Sequence, residues 1–278
     1  MPRKTVLDLH AMKAGSQKIA MVTAYDYCMA RLVDQAGVDM VLVGDSLGMV
    51  VQGHDDTLSV TVEDMIYHGR CVDRGLKQAH LTVDMPFMSY QISPQQALEN
   101  AGRLVKDGGA QSVKLEGGVR SAPMIEAIVS AGIPVVGHLG LTPQSVHALG
   151  GFRVQGRSDE SRQHLFEGAQ AVQEAGAFML VLEMVPAQLA QELSASLRIP
   201  TIGIGAGPGC DGQVLVCNDL LGMDLRFKPR FLRRFAELET EIVDAVSSYV
   251  SEVRNGAFPT QQHSFGSGKG RTKVARLY

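Results

Sequence analysis

Five short apolar runs of this chain end on a carboxylate or an imidazole: Asp45 follows MVLVG, Asp84 follows LTV, Glu116 follows VKL, His138 follows PVVG and Glu183 follows FMLVL. Apolar runs of that length, bounded by turn residues, read as buried strands. Eight strand candidates are present: Ile19–Tyr25, Met40–Asp45, Leu81–Asp84, Ser112–Glu116, Pro134–His138, Ala177–Glu183, Pro200–Gly205 and Gln213–Cys217. Between them, Pro94–Asp107, Ser161–Ala175 and Ala187–Leu197 place apolar residues at helical spacing, so the repeating unit is βα. Periodicity cannot separate a closed barrel from an open doubly wound sheet, but the polar strand ends can. Only a (βα)8 TIM barrel turns the C-terminal ends of all its strands toward one place, whereas an open sheet strings them along a line. A barrel needs roughly 250 residues, and the 278 available suit one.

With 45% hydrophobic and 20% charged residues the composition is that of a soluble globular domain. The net charge of −3, with Lys and Arg read as spread along the chain, offers no concentrated basic face for nucleic acid. The longest apolar run, Ala177 to Leu182, is too short to span a membrane, and the N-terminus has no apolar secretory segment. Cys28, Cys71, Cys210 and Cys217 form no C-x2-C pair and read as buried thiols in a reducing compartment. A cytoplasmic protein without nucleic-acid or membrane partners is expected. One barrel domain with an N-terminal extension is anticipated over residues 1–263, followed at 264–278 by a Gly-, Ser- and basic-rich tail expected to be mobile.

Lys114 and Glu116 are two apart on one strand and so share a face. Burying both against helices would be costly, which favours the barrel mouth. Asp45, Asp84 and Glu116 offer hard carboxylate oxygens suited to Mg²⁺, although a single acidic strand end such as Asp45 often serves only as a helix cap. Glu183 ends the most apolar strand, where the surroundings disfavour the ionised form; that suits a general base, with a cap or an Arg pair as the plainer role. His138 is a metal ligand, an acid, a substrate contact or a hydrogen-bonded structural residue. The glycines of GIGAGPG (203–209) match no phosphate-loop pattern and serve either a phosphate or a tight turn.

Longer motifs run in order through the chain: TAYDY (23–27), LVGDSLGMV (42–50), DMPF-x-SY (84–90), VKLEGG (113–118), GIPV-x-GHLGLTPQS (132–145), VLEMVP (181–186), IPTIGIGAG (199–207) and CDGQVLV (210–216). On these the chain resembles the ketopantoate hydroxymethyltransferase family from about Thr23 to His263. The resemblance implies a barrel of the phosphoenolpyruvate/pyruvate-like superfamily that uses Mg²⁺, takes 5,10-methylenetetrahydrofolate as one-carbon donor and serves pantothenate and coenzyme A biosynthesis. It further implies Asp45 and Asp84 as metal ligands, and Glu116 at the metal directly or through water. Ser46 and Lys114, with Asp45 and Asp84, contact the oxo acid, Glu183 is the proton acceptor of a Mg²⁺-stabilised enolate reaction, and the assembly is a homo-oligomer, often a decamer. The alternatives are another metal-enolate lyase or transferase of that superfamily, a Schiff-base aldolase acting through Lys114, and an inactive barrel used for binding.

Overall fold

The computed structural model describes residues 2–265, so most of the expected tail lies outside the described residues. Eight parallel strands close into a barrel in chain order: β1 (Ile19–Thr23), β2 (Met40–Val43), β3 (His80–Asp84), β4 (Ser112–Glu116), β5 (Val135–Gly140), β6 (Met179–Glu183), β7 (Thr201–Ile204) and β8 (Gly212–Leu215), with β8 pairing back onto β1. All eight coincide with the strand candidates to within a few residues.

The helices are α1 (Val6–Ala14), α2 (Tyr27–Gln35), α3 (Leu47–Val50), α4 (Val62–Gly75), α5 (Pro94–Lys106), α6 (Ala122–Ser130), α7 (Asp159–Glu174), α8 (Ala187–Ser196), α9 (Cys217–Leu220) and α10 (Leu238–Asn255). Local chemistry starts several of them. Thr5 and Thr61 close capping boxes with Asp8 and Asp64, and Asp26 and Ser93 accept from the first-turn amides of α2 and α5.

Two apolar clusters result from the alternation of strand side chains. The larger one fills the space between sheet and helices. The smaller gathers Met21, Met40, Val136, Met179, Val181, Ile202 and Val214 inside the barrel, and Leu9 and Met12 of α1 close its lower end. The inward columns therefore change character along the strands. Met179 and Val181 lead up to Glu183, Val136 leads to His138, and Ser112 leads to Lys114 and Glu116. The floor is apolar and the mouth is charged.

The cysteines are not all buried as expected: Cys210 and Cys217 are, but Cys71 is half-buried and Cys28, near the start of α2, is exposed. A lone thiol in an amphipathic helix carries no signal of which face it occupies. Gly205 and Gly207 support the tight-turn reading of GIGAGPG, because both have positive φ and a Cβ would fall 2.7 Å from Met184 Sδ and 2.4 Å from Ala187 Cβ respectively. Among the described residues no helix is long and apolar enough to cross a membrane.

Candidate active site

The polar strand ends meet at the mouth in a closed circuit of contacts. Lys114 Nζ lies 2.9 Å from Asp84 Oδ1, and Asp84 Oδ2 accepts from the Asp45 amide at 3.1 Å. Asp45 Oδ2 accepts from Gln144 Nε2 at 2.8 Å, and the Gln144 amide donates to Glu116 Oε2 at 3.1 Å. Glu116 Oε1 and Lys114 Nζ each stand 3.4 Å from His138 Nδ1, which completes the ring. On its outer side His138 Nε2 is 3.2 Å from Glu183 Oε2. Strand pairing brings this about, since Asp84 is in register with Lys114, Glu116 with His138, and Gly140 with Glu183.

Asp45, Asp84, Lys114, Glu116 and His138 are all buried, whereas the Glu183 side chain retains 21% exposure. Burial, reinforced for Asp45 by Glu116 and for Asp84 by Asp45, outweighs Lys114 and pushes both aspartates up to about 6. Burial opposes the Lys114 ammonium, but Asp84, Asp45 and Glu116 overcome it and hold Lys114 above the ordinary lysine range. At neutral pH the Lys114–Asp84 pair is therefore ionised. Burial and Lys114 also oppose charge on His138, yet Glu116 and Glu183 push its imidazole up to about 9.

Two expectations change here. Asp45 does not cap the helix that follows it; Ser46 holds the cap position without a side-chain cap bond, and the Asp45 carboxylate faces Gln144. Glu183 is neither in apolar surroundings nor, among the described residues, paired with an Arg, because its strand ends at the open rim beside His138. Half-buried Ser46 sits next to Asp45, with its Oγ 2.8 Å from Tyr25 Oη.

Three residues of this site went unassigned in the sequence: Gln144, Tyr90 and Tyr25. Buried Gln144 bonds Asp45, Glu116 and the Met85 carbonyl, and its Oε1 accepts from Tyr90 Oη at 2.7 Å; Tyr90 Oη in turn accepts from the Glu116 amide at 3.1 Å. Tyr25 and Tyr90 stand in loops and Gln144 in a single 3-10 turn, Pro143–Ser145, where no periodicity marks a neutral side chain, and only the motifs TPQS, SY and TAYDY pointed toward them. Replacing Gln144 by Ala leaves the Met85 carbonyl without this donor and Tyr90 without this acceptor. At about 1–3 kcal/mol per unsatisfied buried group, the urea midpoint should fall clearly; an unchanged midpoint would show that water or neighbours replace every bond.

A closed parallel barrel whose mouth gathers buried carboxylates, a buried lysine and a rim glutamate is the arrangement of an α/β-barrel enzyme. The chain matches the sequence model of the ketopantoate hydroxymethyltransferase family over residues 3–261, and it belongs to that family. It is 57% identical over 261 residues to the 3-methyl-2-oxobutanoate hydroxymethyltransferase of Pelobacter propionicus, covering 94% of this chain and 97% of that one. With the protein of the same name from Geobacter sulfurreducens it shares 56% over 262 residues, covering 94% and 98%. Among solved structures it is similar in fold to a phosphonopyruvate hydrolase complexed with oxalate and Mg²⁺ (TM-score 0.62, 13% identity, 95% and 93% covered). It is likewise similar to 2,3-dimethylmalate lyase, a member of the PEP mutase/isocitrate lyase superfamily (TM-score 0.58, 17% identity, 94% and 91% covered).

Proposed function

We propose that this chain transfers a one-carbon unit from 5,10-methylenetetrahydrofolate to 3-methyl-2-oxobutanoate and releases ketopantoate for pantothenate and coenzyme A synthesis. The observation that carries the reading is buried Asp45 and Asp84 set beside buried Lys114, in a chain of this family. Among the described residues no three His, Cys, Asp or Glu side chains are grouped as a ready cation cage. The donor set nonetheless fits Mg²⁺, a hard ion that commonly binds through one or two carboxylates and keeps water in its other positions. Apart from the Lys114 ammonium, Asp84 Oδ1 has no partner, although it is buried. Asp45 and Asp84 would hold the ion directly, and Glu116, already engaged by Gln144 and His138, would act through water. When bound, Mg²⁺ supplies Lewis-acid stabilisation to the oxo acid's carboxylate and ketone oxygens.

Ser46 joins Asp45, Asp84 and Lys114 in receiving the oxo acid. Lys114 opposes the negative charge that grows on the ketone oxygen as C3 loses its proton. Glu183 accepts that proton, and His138 holds its carboxylate in place. The methylene carbon, held by N5 and N10 of the donor, gives up both C–N bonds and gains one bond to C3 and one to the oxygen of water. The two nitrogens take up the proton removed from C3 and one proton of that water. A Schiff base at Lys114 is disfavoured, because an ion-paired ammonium has no free electron pair.

Incubating the protein with Mg²⁺, the oxo acid and the folate donor should yield ketopantoate by mass spectrometry, and EDTA should stop it. Product without the folate, or untouched by EDTA, would overturn the reading; a related lyase or an inactive barrel would form none. Lys114→Ala should weaken oxo-acid binding and slow enolisation, lowering kcat/KM by roughly 10²–10³-fold, while Mg²⁺ remains bound. Lys114→Arg should restore only part, since its donors point differently. Unaltered kinetics in Lys114→Ala would remove Lys114 from the site.

Cytoplasmic location is part of the proposal, supported by the absence of disulfides among the described residues. So is assembly into a homo-oligomer, a decamer by resemblance. No residue of α10 is buried, and Ile242, Val246, Tyr249 and Val253 repeat at steps of four, three and four to form an exposed apolar stripe. On the barrel itself, Ala20 of β1 and Gln213 of β8 are exposed where a helix layer normally covers the strands. Sedimentation should therefore give a multiple of the 29.9 kDa chain mass; a monomer at micromolar concentration would contradict this.

A further inference from the structure

Lysine and arginine are not spread along the chain as expected: Arg226, Lys228, Arg230, Arg233 and Arg234 fall within nine residues. This stretch follows β8 and α9, so it belongs to the last loop on the mouth side of the barrel. We infer that it forms a subsite for the anionic glutamate tail of the folate donor, with Lys228 and Arg230 as its carboxylate contacts. The inference rests on the folate reading above and gives the donor a place to lie.

The loop is held in shape from within. Arg234 donates to the carbonyls of Asp224, Leu225 and Phe227, the Leu225 amide bonds Glu239, and the Phe235 amide bonds the Leu220 carbonyl. Arg226 is neutralised by Asp224 at 2.9 Å, and Arg233 lies over the Phe235 ring at 5.0 Å. Lys228 and Arg230 are exposed and, among the described residues, meet no carboxylate. At the inner end of the loop, Phe231 packs where a Cβ on Gly205 would stand 3.3 Å from its ring and 2.7 Å from Met184 Sδ. Met184 directly follows Glu183. The two uncompensated cations thus stand one and three residues before Phe231, which packs beside the residue that follows the proposed base. A donor that reacts at its pterin end beside Glu183 and ends in carboxylates has the same polarity. Each further γ-linked glutamate adds one carboxylate for that charge to meet.

Equilibrium binding of tetrahydrofolate and its triglutamate to the whole protein tests this. Wild type should bind the triglutamate more tightly, roughly 3- to 10-fold for two exposed ion pairs at low salt, and the preference should shrink as salt is raised. Lys228→Gln/Arg230→Gln should abolish the preference by weakening triglutamate binding more than monoglutamate binding, whereas Arg226→Gln should retain it. Equal affinity for both ligands in wild type, or a preference that survives the double substitution, would overturn the subsite alone. If wild type bound neither tetrahydrofolate while still exchanging the C3 hydrogen of the oxo acid with D2O, the donor assignment would fail and the subsite with it.

Discussion

In D2O containing Mg²⁺ but no folate, wild-type protein should exchange the C3 hydrogen of 3-methyl-2-oxobutanoate, and Glu183→Gln should slow that exchange by roughly 10²–10⁴-fold, the usual contribution of a positioned general base. The amide keeps the shape of the side chain and can still face His138 Nε2, 3.2 Å from Glu183 Oε2 in the native protein, but it cannot take the proton. With 21% exposure Glu183, outside the circuit, is more open than the buried groups within it, so the substitution should barely change stability. Oxo acid and Mg²⁺ should still bind. Exchange at the wild-type rate would pass the role of base to His138 or to a metal-bound hydroxide and leave Glu183 to folate positioning. Following exchange by NMR separates proton removal from carbon transfer, which a product assay cannot do.

Removing either carboxylate proposed to hold the metal should have a still larger effect. Asp84→Asn keeps the volume while discarding the charge that meets Lys114 Nζ at 2.9 Å, and Asp45→Asn discards the charge of the carboxylate that accepts from Gln144 while keeping an amide oxygen for that bond. Lewis-acid stabilisation worth several kcal/mol corresponds to about 10³-fold or more in rate, at about 1.4 kcal/mol per factor of ten. Turnover in either variant should be undetectable, with Mg²⁺ affinity by calorimetry strongly reduced. Near wild-type turnover with tight Mg²⁺ in either one would mean the ion is held elsewhere. The wild-type affinity should also depend on pH. Burial, with neighbouring carboxylates, places both aspartates at about 6 in the folded chain, above their ordinary range. Without metal, the folded state holds protons there that the unfolded chain has released, so these two groups favour folding at low pH and lose that contribution as pH rises through 6. Mg²⁺ requires the ionised forms, so its affinity should be full above pH 7 and fall as pH drops through 6, with proton release on binding near that pH. An affinity constant from pH 5 to 8 would contradict this assignment.

Much of the architecture was legible from the chain because burial on both faces of a parallel strand leaves short apolar runs, and the helices between carry their own caps and periodicity. Convergence was legible for the same reason. A charge at the end of an apolar run has few affordable places, and Asp45, Asp84, Glu116, His138 and Glu183 share one only if the sheet closes. The exposure of Cys28, the open rim around Glu183 and the freedom of Asp45 from capping were not legible, since each depends on what another segment places nearby.

By itself, the sequence determined the strand order, the inward face shared by Lys114 and Glu116, and the set of titratable groups at the mouth, because these follow from strand period and from the cost of burying charge. Only the tertiary structure decided which partner each group has. Gln144 lies 99 residues from Asp45 and 28 from Glu116 along the chain, yet it bonds to both. His138 joins Glu116 to Glu183 because barrel register sets neighbouring strand ends side by side. Hydrogen bonds and ion pairs act over about 3–4 Å, and contacts so short between residues so distant in the chain exist only once the barrel has closed.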